Sequence, residues 1–187
     1  MLEKSTIITR TLHFLIFSKY CSTTTSSIAS KFRFVCGLDN VECSSRDNFQ
    51  EIVFGEDAPR GTVYCDNPFT TGTQYFEVFM KNKARKTAVG FLSNNNTTEY
   101  MRDKPIGQKF LSMGGAGLIH PLEISAGKYT QGDMVKAEIN FQEMLVKFYV
   151  NGNFCGDAPW EGGPQAYPAV SSDGGPNTLE VTFSDDA

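Results

Sequence analysis

The sequence predicts an all-β domain, an antiparallel sandwich or barrel. Three observations carry that reading. From about Lys31 onward no window of 11–18 residues holds a sustained apolar repeat at helical spacing. Short β-rich runs recur instead, bounded by Gly, Pro, Asn and Asp. Several of those runs alternate apolar and polar residues with period two, as a half-buried strand does.

The runs can be taken in order. Phe32-Arg33-Phe34-Val35 alternates, and Glu51-Ile52-Val53-Phe54 ends at Gly55. Tyr75 to Met80 leads into Lys81-Asn82-Lys83, read as a turn, and Thr87 to Leu92 returns. Met134 to Phe141 alternates, giving one wet face and one dry face, and Met144 to Val150 follows after a short break. Asn151-Gly152 then predicts a hairpin, because Asn and Gly accept the positive φ that a type I′ turn demands.

Composition bounds the function. A chain of 187 residues buries a full core without staples, and 15 phenylalanines provide the material. Residues 1–35 carry a balance of +4 and the rest −8. An acidic body argues against general affinity for nucleic acid, whose phosphates need a basic surface. No run of apolar residues is long enough for a membrane-spanning helix. The five cysteines (Cys21, Cys36, Cys43, Cys65, Cys155) lack the close spacing of a zinc site or a redox dithiol. They read as free thiols in a reducing compartment, which sets the expectation of a cytoplasmic protein. Residues 1–30, basic and rich in Ser and Thr, read as a tail, an organelle transit peptide or a secretory leader.

Six segments in order resemble the SPRY domain, a two-sheet antiparallel sandwich of the concanavalin-like jelly-roll kind. They are Gly72-Thr73-Gln74-Tyr75-Phe76-Glu77-Val78, Val89-Gly90-Phe91, Gly132-Asp133-Met134-Val135, Val146-Lys147-Phe148-Tyr149-Val150-Asn151-Gly152, Tyr167-Pro168-Ala169-Val170 and Val181-Thr182-Phe183. Leu38 to Ser44 is similar to the strand that precedes the core in that family. The resemblance therefore covers residues 31–185, with residues 1–30 outside it. Phe76 and Phe91 stand where the family often carries Trp. Phe110 to Gly117 departs from the family's usual pattern, which leaves strand pairing between 95 and 130 open. No counterpart exists of the Arg-Pro-rich loop by which one SPRY subgroup grips an Asn-rich peptide, so that ligand is not carried over.

The resemblance implies a non-catalytic protein-interaction module that binds a peptide segment or a protein surface through loops at one end of the sandwich. A role as a substrate-recruiting adaptor is part of that expectation. Loops on a rigid scaffold diverge without disturbing the core, so specificity is sought there. The candidate partner-binding residues are Arg60 and Tyr64 around the Pro59 turn, Asn95, Tyr100 and Arg102 in a long polar loop, and Trp160 between Pro and Gly residues. Trp, Tyr and Arg dominate binding hot spots. Phe69, Tyr75, Phe148 and Tyr167 read as core, and the basic run from Lys81 to Lys86 as a solvated hairpin.

Catalysis is weakly supported by the residues. His13 and His120 are the only histidines, and neither has a nucleophile beside it in sequence. No metal site, cofactor or catalytic residue is expected, nor a nucleic-acid or membrane partner, and the chain reads as a monomer. Two alternatives remain open. One is a carbohydrate-binding or carbohydrate-cleaving sandwich, for which Glu77 and Glu138 would share a sheet face. The other is a structural subunit of a larger complex.

Overall fold

A computed structural model describes residues 31–94 and 110–184, and all of their regular structure is β-strand. Two antiparallel sheets of seven strands face each other. Across sheet I run β1 (Phe34–Val35), β4 (Gly61–Cys65), β13 (Tyr167–Ser172), β6 (Thr87–Leu92), β7 (Phe110–Gly114), β8 (Leu118–His120) and β9 (Ile124–Ser125). Across sheet II run β12 (Asn153–Pro159), β11 (Leu145–Val150), β10 (Met134–Asn140), β5 (Thr73–Lys83), β14 (Asn177–Phe183), β3 (Gln50–Phe54) and β2 (Val41–Ser45).

The alternation in sequence becomes the two faces of each sheet. Along β5, Phe76, Val78 and Met80 point inward and are fully buried. Phenylalanines fill the middle of the sandwich. The Phe76 ring meets Phe91 edge-on, with centroids 5.4 Å apart, and lies 6.2 Å from Phe34. Phe69 meets Phe32 at 4.9 Å in the same T-shaped arrangement. Such edge-to-face pairs add about 0.5–1.5 kcal/mol each beyond the area they bury.

Period two also corrects two of the core expectations. Phe69 and Phe148 are fully buried, but Tyr75 and Tyr167 are only half-buried. Each precedes an inward-facing residue, so each lies on an outer face. Tyr75 lies beneath the Lys136 ammonium, 4.9 Å from its ring centre. Tyr167 joins a small outer cluster with Leu92, Phe110 and Ala169. The turn expected at Lys81-Asn82-Lys83 is likewise displaced. Strand β5 continues to Lys83 because β14 pairs with it to the end, through Asn82↔Thr178 and Lys83↔Asn177. Lys81 there bridges Glu51 (3.0 Å) and Glu180 (2.9 Å).

Two of the sequence landmarks hold each other. Asp133 accepts hydrogen bonds from the Asn151 side-chain amide (2.8 Å) and the Thr130 N–H (2.7 Å). Asn151 in turn accepts from the Met134 N–H (2.9 Å). The start of β10 is thereby fastened to the β11–β12 turn, where Asn151 (φ 50°) and Gly152 (φ 77°) take the left-handed conformation the sequence predicts. The Asn151 bond, then the Thr130 bond, hold the Asp133 carboxyl below its ordinary 3.8. A lowered folded pKa adds stability above that ordinary value, and the gain is lost as pH falls through the folded value. Asp133→Asn is therefore expected to flatten the acid limb of the stability curve below about pH 4. Urea titrations at a series of pH values check this, and an unchanged acid limb would remove Asp133 from the account.

The expectation of free thiols needs correction. Cys36, just beyond β1, is disulfide-bonded to Cys43 on β2, with Cα atoms 5.8 Å apart. The chain crosses from the edge of sheet I to the edge of sheet II within the intervening residues, so the two sulfurs meet although the sequence spacing suggested no pair. Closing so short a loop restricts the unfolded chain by about 2.5 kcal/mol. Among the described cysteines, Cys65 and Cys155 are free. Burial pushes the Cys65 thiol up to about 12, which keeps it protonated and inert.

Candidate functional site

Strand registers fix which residues share an end of the sandwich. In sheet I, Thr87 pairs with Ser172 and Ser172 with Gly61. In sheet II, Lys83 pairs with Asn177 and Asn177 with Phe54. The connections 55–60, 84–86 and 173–176 therefore all cross between the sheets at one end.

Hydrogen bonds lock the 84–86 and 173–176 connections together, and close packing and an ion pair hold 55–60 against them. The Asn177 side chain accepts from the Arg85 N–H (3.0 Å) and donates to Ser172 Oγ (2.7 Å) and Gly174 O (3.1 Å). Arg85 Nε donates to Gly175 O (3.1 Å), and the Asp173 N–H donates to Lys86 O (2.9 Å). Gly175 is pressed against the Gly55 carbonyl so closely that a Cβ would overlap it. Arg60 projects from this frame, exposed and ion-paired with Asp173. Glu56, Asp57, Arg85 and Lys86 are exposed beside it. The end is thus a pre-formed, mixed-charge surface.

Trp160 lies elsewhere. It follows Pro159, which pairs with Leu145, whereas Leu145 pairs with Asn140 and Asn140 with Thr73. That chain of partners marks the opposite end. Trp160 is only 3% exposed, meets Phe91 edge-on at 6.3 Å, and donates Nε1–H to Gly163 O at 2.9 Å. It is a lid on the core, and the contact role expected of it lacks a surface. Tyr64 sits near the same end on the outer face of β4, half-buried and paired with Ala169. Thr62, fully buried, separates it from Arg60. Asn95, Tyr100 and Arg102 fall outside the described residues. Among the described candidates, then, the single-end site expected from sequence is divided between two ends.

No family model matches the chain, and no curated protein is similar to it in sequence. Solved structures are similar. The SPRY domain of human HERC1 superposes with a TM-score of 0.58 at 16% identity, covering 80% of this chain and 98% of that one. A further human SPRY domain gives a TM-score of 0.59 at 16% identity, covering 79% and 97%. The fold is that of a SPRY domain. The six sequence landmarks fall on the strands of this SPRY sandwich or on the turns that join them.

Two arrangements on the SPRY frame come nearest to catalytic chemistry. On sheet I, Ser112 lies directly opposite His120, whose Nδ1 is 2.8 Å from Glu123 Oε1. Among the described residues, Ser112 Oγ and His120 Nε2 are both buried without a hydrogen-bond partner. Nucleophile activation requires those two atoms to bond each other and a substrate to reach the hydroxyl. Neither condition is met, since Ser112 is fully buried. On the outer face of sheet II, Glu77 and Glu138 do share a surface, but Lys136 stands between them. Its Nζ is 2.8 Å from Glu138 Oε2 and lies over the rings of Tyr75 (4.9 Å) and Tyr149 (4.1 Å). A lysine opposite Glu77 in register and bonded to Glu138 occupies the place where a sugar would sit between two carboxyl groups. Among the described residues no group of three or more His, Cys, Asp or Glu could hold a metal ion.

Proposed function

We infer that the chain is a non-catalytic protein-interaction module that grips a peptide segment or protein surface at the Arg60 end, and that it acts as a recruiting adaptor. The observation that carries this reading is the interlocking of the crossing loops, 84–86 with 173–176 by hydrogen bonds through Asn177 and Arg85, and 55–60 by the Arg60–Asp173 ion pair and the Gly55–Gly175 contact. Loops already ordered in the free protein lose little entropy on binding, which favours affinity. Their exposed residues, Arg60, Arg85 and Lys86 with Glu56 and Asp57, suit a partner of mixed charge. The SPRY fold supports the class, because family members display their contacts on such loops.

The test begins with the full chain as bait in cell extract, followed by calorimetric titration of whichever protein is recovered. Arg60→Glu is expected to weaken that binding at least about tenfold, while leaving thermal unfolding in place. Phe154→Ala, which removes an exposed ring on the edge strand β12, level with Glu77 in the middle of β5, should leave it unchanged. Equal affinity for the wild type and Arg60→Glu would place the contact elsewhere.

A further inference from the structure

The flank where β1 and β2 meet holds an open strand edge. Among the described residues, strand β2 ends sheet II, with only β3 as neighbour. The phase of that pairing is fixed at both ends, since Gly55 N–H donates to Asn40 O and Arg46 N–H donates to Phe49 O, each at 2.8 Å. Antiparallel bonds recur every second residue, so Asn40, Glu42, Ser44 and Arg46 bond toward β3. The backbone N–H and C=O of Cys43 and Ser45 therefore point outward. Strand β1 does not take them. Its own edge is met by the Gln50 carboxamide, which accepts from the Phe34 N–H (2.8 Å) and donates to Phe32 O (2.8 Å). Between the two strands lies a crevice of about 660 Å³, lined among others by Phe34, Cys36, Val41, Glu42, Cys43 and Asp66. The Cys36–Cys43 disulfide spans it and fixes its width.

We propose that residues 5–12 of this same chain add to β2 as a further strand of sheet II. Three features select this occupant. Residues 5–12 read Ser-Thr-Ile-Ile-Thr-Arg-Thr-Leu, rich in the β-branched residues that suit a strand. They hold Arg10 and no acid, opposite a crevice that presents Glu42 and Asp66. Residues 1–30 also join the described chain at Lys31, two residues before Arg33, which itself lines the crevice. The 18 residues between 12 and 31 reach at most on the order of 60 Å when fully extended, which sets the range of the tether. A tether of that length holds the segment at an effective concentration on the order of millimolar. Adding a strand also shields an edge that would otherwise invite pairing between molecules.

Amide hydrogen exchange in the full oxidised chain tests this, with Ile8→Pro/Arg10→Pro as the variant, because proline can neither donate to a ladder nor sit within one. Cys43 and Ser45 amides are expected to exchange at least about tenfold more slowly in the wild type than in the variant. Glu42 and Ser44, bonded to β3, should be equally slow in both and so report an intact fold. Fast exchange of Cys43 and Ser45 in both proteins would overturn the proposal by showing an open edge. Slow exchange in both would overturn it equally, by assigning the cover to something other than residues 5–12, and tenfold dilution would then reveal whether that cover is a second copy.

Discussion

Phe76→Ala is expected to destabilise the fold by about 3–5 kcal/mol, the usual cost of deleting a fully buried aromatic side chain. The ring is fully buried on β5 at the middle of sheet II and reaches across to Phe91 of sheet I and Phe34. Its backbone is held on both sides, by Ala137 of β10 and Phe183 of β14, so the strand has little freedom to collapse into the gap. For a domain of this size the loss corresponds to a fall in Tm of roughly 6–20 °C. Phe76→Leu keeps much of the volume and should lose far less. Chemical denaturation of the three proteins decides the matter, and a loss below about 1 kcal/mol for Phe76→Ala would mean that the aromatic cluster does not centre the core.

Gly90→Ala is the second large effect, and it acts through the opposite fault. Gly90 lies on β6 between Ala169 of β13 and Ser112 of β7. A Cβ there would overlap the Leu111 carbonyl oxygen and lie 2.6 Å from Ser112 Cα. Both are backbone atoms, so no side-chain rotation relieves the clash, and β7 must move away. Overpacking of this kind typically costs about 1–3 kcal/mol and sometimes more. Denaturant midpoints measure the loss. Faster amide exchange confined to β6 and β7 would locate it, and wild-type stability would contradict the close approach. The same geometry explains why the Val-Gly-Phe landmark needs its glycine.

The strands with a buried face were legible because burial imposes a period on the sequence. Thr87–Leu92 is a strand over the residues expected, and the alternation from Met134 onward became β10 with Val135, Ala137 and Ile139 inside. The Asn151-Gly152 turn was legible from its φ requirement alone. Strands β8 and β9 were not, being three and two residues long, too short to show a period. The Cys36–Cys43 bond was hidden for a related reason. It depends on the chain changing sheets between β1 and β2, which no local pattern records.

The candidate site was less legible than the fold. Arg60 was found from its place beside a proline, but its setting depends on Asn177 and Asp173, more than a hundred residues away. Trp160 looked like a binding residue because Pro and Gly surround it. Those same residues let the loop fold back, so that the indole closes on Gly163 and Phe91. A lone Trp in a flexible-looking loop carries no sign of which way it points. Glu77 and Glu138 were placed on one face by period two, whereas the lysine between them became visible only with the register of β5 and β10.

The claim that the Arg60 end is the binding surface is tested most directly by a hydrogen-exchange footprint of the full chain with and without its captured partner. Protection is expected in the connections 55–60, 84–86 and 173–176, with the outer face of sheet II unchanged. Protection centred on Tyr75, Lys136 and Tyr149, with those three loops unaffected, would contradict the account.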